Sequence, residues 1–287
     1  MCYSSLAGEW LKPLGLITNI FIIYAAIWTV LEPLIGIVPE AQKHFSGDFK
    51  FLILVVISSC IGIYRNAVPG EITIKHDNCV IKVVFGDLFL FDGFKAIPVS
   101  RYFFETQVVQ TSLQNKIIQL FLGSKEGNEG FRIYKQALSN ALQGESYQEV
   151  YRDATKQKEK YYPLGTTALL ELNGQDFILF TLSETELKGH IPDDNCNVVK
   201  MWAALEDLWK KARVHSRGNS INIPLIGSGV TGIRLEPTRL LELNLLAIVN
   251  SIEEGGKITT EEVRIVLHPK YIEDIDLNKF QSMWGQR

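Results

Sequence analysis

Residues 221–233 read INIPLIGSGVTGI, a strand-like run that passes directly into the loop Gly227-Ser228-Gly229-Val230-Thr231-Gly232. A helix follows, with Pro237 near its first turn. Strand, glycine loop and helix in that order suit a phosphate. Glycines let backbone N–H groups approach a diphosphate closely, and a helix N-terminus adds unpaired donors and partial positive charge. A tight strand-to-helix turn without a ligand reads the same way, so the loop alone leaves both readings open.

The spacing also matches the dinucleotide fingerprint G-x-G-x-x-G, which raises an NAD-dependent enzyme. Two features oppose it. Only 55 residues follow Gly232, too few for the rest of a doubly wound nucleotide domain, and no acidic residue closes a second strand at the required distance. Glu253 and Glu254 fall near that distance but stand in a helix-ending EEGG turn.

Outward from the loop, strands are expected at 71–75 and 80–85 around a His76-Asp77-Asn78 turn, then at 94–99, 166–172, 176–182, 220–226 and 262–268. Helices are expected at 113–122, 130–142, 146–159, 196–215 and 236–252. This alternation implies a sheet covered on both faces, a three-layer α/β domain. The polar stretch 123–160 reads as a helical insertion whose charges mark a solvated face, with a binding patch as the alternative.

Upstream the composition changes. Leu14 to Leu31 holds 18 consecutive residues without a charge, with Asn19 as the main polar interruption, and meets the spanning criterion. Glu32-Pro33 is expected to kink or end that helix. A second apolar run, Phe51 to Tyr64, holds 14 residues, with Lys50 and Arg65 placed to snorkel. A buried core helix is the alternative for each, and a cleaved signal peptide for the first. The leader, however, carries only Lys12 beside an acidic Glu9. The expected organisation is a membrane anchor at 1–65, with helices at about 14–32 and 50–66, and one soluble domain at 66–287 beginning at the turn-rich Asn66-Ala67-Val68-Pro69-Gly70. Two spans put both termini on one side. Lys12 and Arg65 balance Lys43 and Lys50, so the charge count does not choose that side. A net charge of −3 and a pI near 6.0 leave no basic surplus for nucleic acid. Cys2, Cys60, Cys79 and Cys196 are far apart and read as reduced cytosolic thiols. The five histidines lack metal-ligand spacing, and there is no G-x-S-x-G or phosphate-loop lysine motif.

Four pieces, FGDLF (85–89), YPLGTTALLE (162–171), IPLIGSGVTGI (223–233) and RIVLHP (264–269), occur in the order of a macro domain, and the soluble part resembles that ADP-ribose-binding fold, a mixed sheet between helices. With two apolar helices ahead of it, the whole chain resembles the transmembrane-macro effectors of the type II Thoeris anti-phage defence system, the ThsA family. The resemblance implies that Asp87, with Leu88 beside it in the G-D-[IL] motif, accepts a hydrogen bond from the adenine amine, a task suited to an acceptor-only carboxylate. A strand-end turn carboxylate is the plain alternative. It implies that Gly227, Ser228, Gly229, Val230, Thr231, Gly232 and Ile233 wrap the diphosphate and distal ribose. A second loop, Thr111-Ser112-Leu113-Gln114-Asn115, would bring Ser112 and Gln114 to the phosphates, although an N-cap explains Ser112 as well. His268 would lie against adenine.

The departures matter too. Hydrolytic macro domains carry an asparagine-rich strand end and a glycine-rich first loop, whereas this chain has AIPVSRYFFET (96–106) and TSLQNK. A sensor rather than an ADP-ribosyl hydrolase is therefore expected, without catalytic residues, metal or cofactor. The resemblance further implies a signal made by a TIR-domain partner, histidine-ADP-ribose, followed by self-association and disruption of the bacterial inner membrane, with the macro domain cytoplasmic. The alternatives are a membrane-tethered ADP-ribosyl hydrolase and a membrane-anchored scaffold.

Overall fold

The computed structural model describes residues 5–6, 9–11, 13–37, 48–103, 112–122, 129–152, 156–183, 186–188, 191–193, 196–229 and 232–285. Seven strands form the central sheet: β1 (Glu71–His76), β2 (Cys79–Phe85), β3 (Phe94–Ser100), β4 (Thr167–Leu172), β5 (Gln175–Ser183), β6 (Ile221–Pro224) and β7 (Glu262–Leu267). Their order is β1-β2-β7-β6-β3-β5-β4. The five inner strands run parallel, and β1 and β4 pair antiparallel at the two edges. Both edge strands enter by two-residue hairpins. Asp77 and Asn78 have φ of 42° and 59°, and Asn173 and Gly174 have φ of 50° and 73°, the paired positive φ that such turns require.

The inner strands are apolar on both faces, as parallel strands buried on both sides must be. On β7, Val263, Ile265 and Leu267 face one core and Val266 the other. The first core lies under α5 (Val198–His215) and α6 (Pro237–Gly255). Met201, Leu205, Leu208, Trp209 and Ala212 recur at helical spacing along the buried stripe of α5. The second core lies under α3 (Leu113–Leu122) and α4 (Glu129–Ala141), which bury Ile117, Ile118, Tyr134 and Leu138 against Val84, Ile97, Val99 and Leu179. The expected three layers are present, and each of the seven expected strands is found. A last helix, α7 (Leu277–Trp284), packs on β1.

One expectation fails. The helix expected at 146–159 is an antiparallel hairpin, Gln148–Arg152 with Gln157–Tyr161. Gln, Glu and Lys are good helix formers, but propensity is worth only roughly tenths of a kcal/mol per residue, and tertiary contacts override it here. Arg152 is buried, reaches Glu159 at 3.1 Å across the hairpin and lies 4.3 Å over the Tyr102 ring. Arg101 lies 4.0 Å over Tyr161.

Two helices precede the sheet, α1 (Pro13–Ile37) and α2 (Asp48–Asn66). Leu16–Pro33 of α1 has a mean hydropathy of 1.6 and is long and apolar enough to cross a membrane. The apolar part of α2, Leu52–Tyr64, is shorter than that criterion, so of the two expected spans one meets it. The helices pack against each other, and Gly62 sets how closely: a Cβ there would fall 2.5 Å from Ile20 Cγ1. Their roots are joined, because Glu9–Leu11 ahead of α1 pairs with Ala67–Pro69 directly after α2.

Candidate functional site

The parallel strands β2, β7, β6, β3 and β5 all end on one side of the sheet, and a cleft of about 810 Å³ opens there. Open α/β sheets place ligands outside the carboxyl ends of their strands in this way. Of the residues expected at the site, Asp87, Leu88, Ser112, Gln114, Gly227, Ser228, Gly229 and His268 line the cleft together. Gly232 and Ile233 do not. Ile233 is buried in the core beside Leu240, and its N–H donates to Gly227 O at 3.2 Å. Val230, Thr231 and Thr111 lie outside the described residues.

Asp87 follows β2 and caps the short 3-10 turn Leu88–Leu90, its Oδ1 accepting from Phe89 N at 3.1 Å. Lys116, one turn along α3 from Ser112, donates to both carboxylate oxygens at 2.9 and 3.2 Å and lies 4.6 Å over the Phe89 ring. Burial pushes the Asp87 carboxyl up. The hydrogen bonds from Lys116 and Phe89 N–H, with the charges of Lys116 and His268, outweigh it and hold the group below its ordinary value. The carboxylate therefore stays an acceptor with room for a further donor. The loop behind it is held from the sheet, where Asn222 Nδ2 and Arg264 Nη1 both donate to Asp92 O, at 2.7 and 3.2 Å.

Ser112 caps α3, accepting from Asn115 N at 3.1 Å. The Gln114 side chain, 4% exposed, donates to Phe103 O at 2.8 Å. It thus holds the segment after β3 through one of its two amide hydrogens. The floor between them, Pro98, Val99, Ser100 and Ser183, carries no carboxylate, amide or imidazole, and Ser100 Oγ accepts from Tyr102 N at 3.3 Å.

The glycine loop is tied from three sides. Asn244, buried in α6, accepts from Ile226 N and donates to Ile226 O, both at 3.2 Å. Ser228 Oγ donates to Leu225 O at 2.6 Å, and Tyr271 Oη donates to Ser228 O at 3.1 Å. Helix α6 starts five residues beyond Gly232 with Glu236 at its cap, and none of its residues lines the cleft. An anion in the loop would meet loop N–H groups rather than a helix end. His268 directly follows β7 and caps the 3-10 turn Pro269–Tyr271, and its Nδ1 accepts from Lys270 N at 3.1 Å, which puts the ring proton on Nε2. Burial, with help from the nearby lysines and against Asp87, holds its pKa below the ordinary value, so the ring is neutral at neutral pH. Among the described residues no cluster of potential metal ligands occurs.

Lys116, Asn244, Lys270 and Tyr271 were not among the expected site residues. Two carried a signal. Lys116 stands four residues after Ser112, on the same helix face. Asn244 is a lone amide within LLELNLLAIV, a polar side chain on a buried stripe.

A mixed sheet between two helical layers, with an acidic turn after β2 and a glycine loop after β6 at the ends of its parallel strands, is a macro domain. The family model described as Thoeris protein ThsA, Macro domain, matches residues 81–268, and the chain belongs to that family. Among solved structures it is similar to the Oceanobacillus iheyensis macrodomain with MES bound, at 14% identity over 74% of this chain and 96% of that one, TM-score 0.47. A mutant of that macrodomain with ADPR gives 14% identity over 74% and 98%, TM-score 0.49. The Trypanosoma brucei macrodomain in complex with ADP-ribose gives 12% over 67% and 66%, TM-score 0.39. No curated protein matches the sequence significantly. The family assignment rests on the sequence match.

Proposed function

We propose that the chain is an anti-phage defence effector whose macro domain binds an ADP-ribose-derived signal, histidine-ADP-ribose, made by a TIR-domain partner. Binding drives self-association, and α1 and α2, both spanning the inner membrane with the macro domain cytoplasmic, then breach it and abort the infection. One observation carries the reading: a cleft with an acceptor turn and a glycine loop shares its chain with an outward-apolar helix of spanning length. Asp87 offers a carboxylate to an exocyclic amine, and Gly229 offers a backbone a phosphate can approach. Among the described residues, Pro98, Val99, Ser100 and Ser183 offer the cleft no carboxylate, amide or imidazole, and Asp87 is engaged by Lys116, which supports binding without turnover and without metal or cofactor. Energetically, the ligand acts only by binding the assembled state more tightly than the resting one.

Calorimetry of the detergent-solubilised full chain with ADP-ribose and histidine-ADP-ribose tests this. Binding that Asp87→Ala and Gly229→Asp abolish is expected, with ligand recovered intact. Absent binding, or binding indifferent to both substitutions, sinks the proposal, and release of free ADP-ribose from the conjugate makes the protein a hydrolase.

A further inference from the structure

The cleft and the membrane helices are joined through the segment after β7. We propose that Tyr271 is a positioning residue that holds the Ser228–Gly229 peptide in one of two orientations, and that ligand binding releases it and so signals through α7 to the roots of α1 and α2. The inference rests on the ligand-gated reading above.

Ser228 C=O and Gly229 N–H belong to one planar trans peptide and point in opposite directions. Tyr271 Oη grips the Ser228 oxygen at 3.1 Å and thereby fixes where the Gly229 N–H aims. Turning that N–H toward a diphosphate rotates the peptide and breaks the tyrosine bond. Turning the peptide changes the φ of residue 229, which glycine takes with either sign, and the space around its Cα is open, since a Cβ there would have no neighbour within 4 Å. Gly227 on the other side is wedged against Leu240 and Ile233 and stays fixed.

Tyr271 itself is 8% exposed and leads into a tight turn, its carbonyl accepting from Asp274 N at 3.1 Å and Ile275 N at 3.0 Å. Asp276 then caps α7, accepting from Asn278 N and Lys279 N at 3.0 and 3.2 Å. Helix α7 packs on β1 and on Ala67–Pro69. That short strand follows α2 without a break and pairs with Glu9–Leu11, which stands one residue ahead of α1. A loop contact, a turn, a capped helix and a clasp of two paired strands thus connect the ligand to both membrane helices.

The test uses the full chain in liposomes, with histidine-ADP-ribose as probe and dye leakage as readout. Tyr271→Phe removes only the hydroxyl and leaves the chain in the released state. The expected result is a half-maximal leakage concentration lowered about five-fold, the worth of one net hydrogen bond, and measurable leakage before ligand is added. A purely structural tyrosine would instead raise that concentration. Hydrogen exchange on the unsubstituted chain gives a second reading: ligand should change protection in 277–284 and 67–76 as well as in the loop. Unchanged or raised leakage threshold in Tyr271→Phe, or exchange confined to the loop, overturns the relay while leaving the binding reading intact. A chain that binds no ligand overturns both.

Discussion

Gly227 and Gly229 stand two residues apart and are glycine for different reasons. Gly227 has φ of +89°, and a Cβ there would fall 2.9 Å from Leu240 Cδ2, so backbone and packing both demand it. Gly229 has neither constraint, which accords with the close ligand approach proposed for it. Gly227→Ala is accordingly expected to destabilise the fold by about 1–3 kcal/mol in urea denaturation. Gly229→Ala should stay within about 0.5 kcal/mol of the parent and weaken ADP-ribose binding instead. If both lose stability equally, the distinction is wrong. His268 allows a pH test. Its folded pKa lies below the ordinary 6.5, chiefly through burial. A base whose pKa is depressed on folding contributes stability above its unfolded value and loses it as pH falls through the folded one. The stability difference between the parent and His268→Ala should therefore be constant above about pH 6.5 and shrink below it, with the ring titrating by NMR at a midpoint under 6.5.

At the scale of elements, what was legible was periodic or local. The seven strands announce themselves by apolar runs with β-branched residues, β1 and β2 also by partial alternation around an Asp-Asn turn, and α5 and α6 by their apolar stripes. The hairpin at 148–161 was not legible, because its strandedness depends on Arg101 and Tyr102, some 50 residues upstream, through stacked cations and rings. Arg152 is its keystone. Truncation to Ala leaves Glu159 half-buried without its partner and strips the Tyr102 ring of its cover, so Arg152→Ala should cost about 1–3 kcal/mol. Limited proteolysis within 148–161 should accelerate in parallel. A hairpin that survives Arg152→Ala with unchanged protection would show that its strand pairing alone suffices.

For the whole molecule, the order of four short motifs revealed the fold and six of the eight expected residues that line the cleft, the other two, Ser112 and Gln114, coming from the second loop. The ties that shape the cleft were invisible, since Asp87–Lys116, Ser228–Tyr271 and Ile226–Asn244 join residues 29, 43 and 18 positions apart with no spacing rule to announce them. The two functions are separable on the same grounds. Phe21, Ile22 and Val30 on α1 are 68%, 59% and 64% exposed and do not line the cleft, an apolar face that water does not suit and lipid does. Arginine at such a position opposes insertion by roughly 2.5–3.5 kcal/mol. Phe21→Arg should therefore shift the chain from the carbonate-resistant membrane fraction toward the soluble one and abolish leakage. It should still bind ADP-ribose, because no residue of α1 lines the cleft, with an affinity that shifts only by what coupling to the membrane helices contributes. A substituted chain that still permeabilises liposomes would mean that α1 does not carry the breach, and would leave α2, whose apolar stretch is the shorter, as the segment to examine.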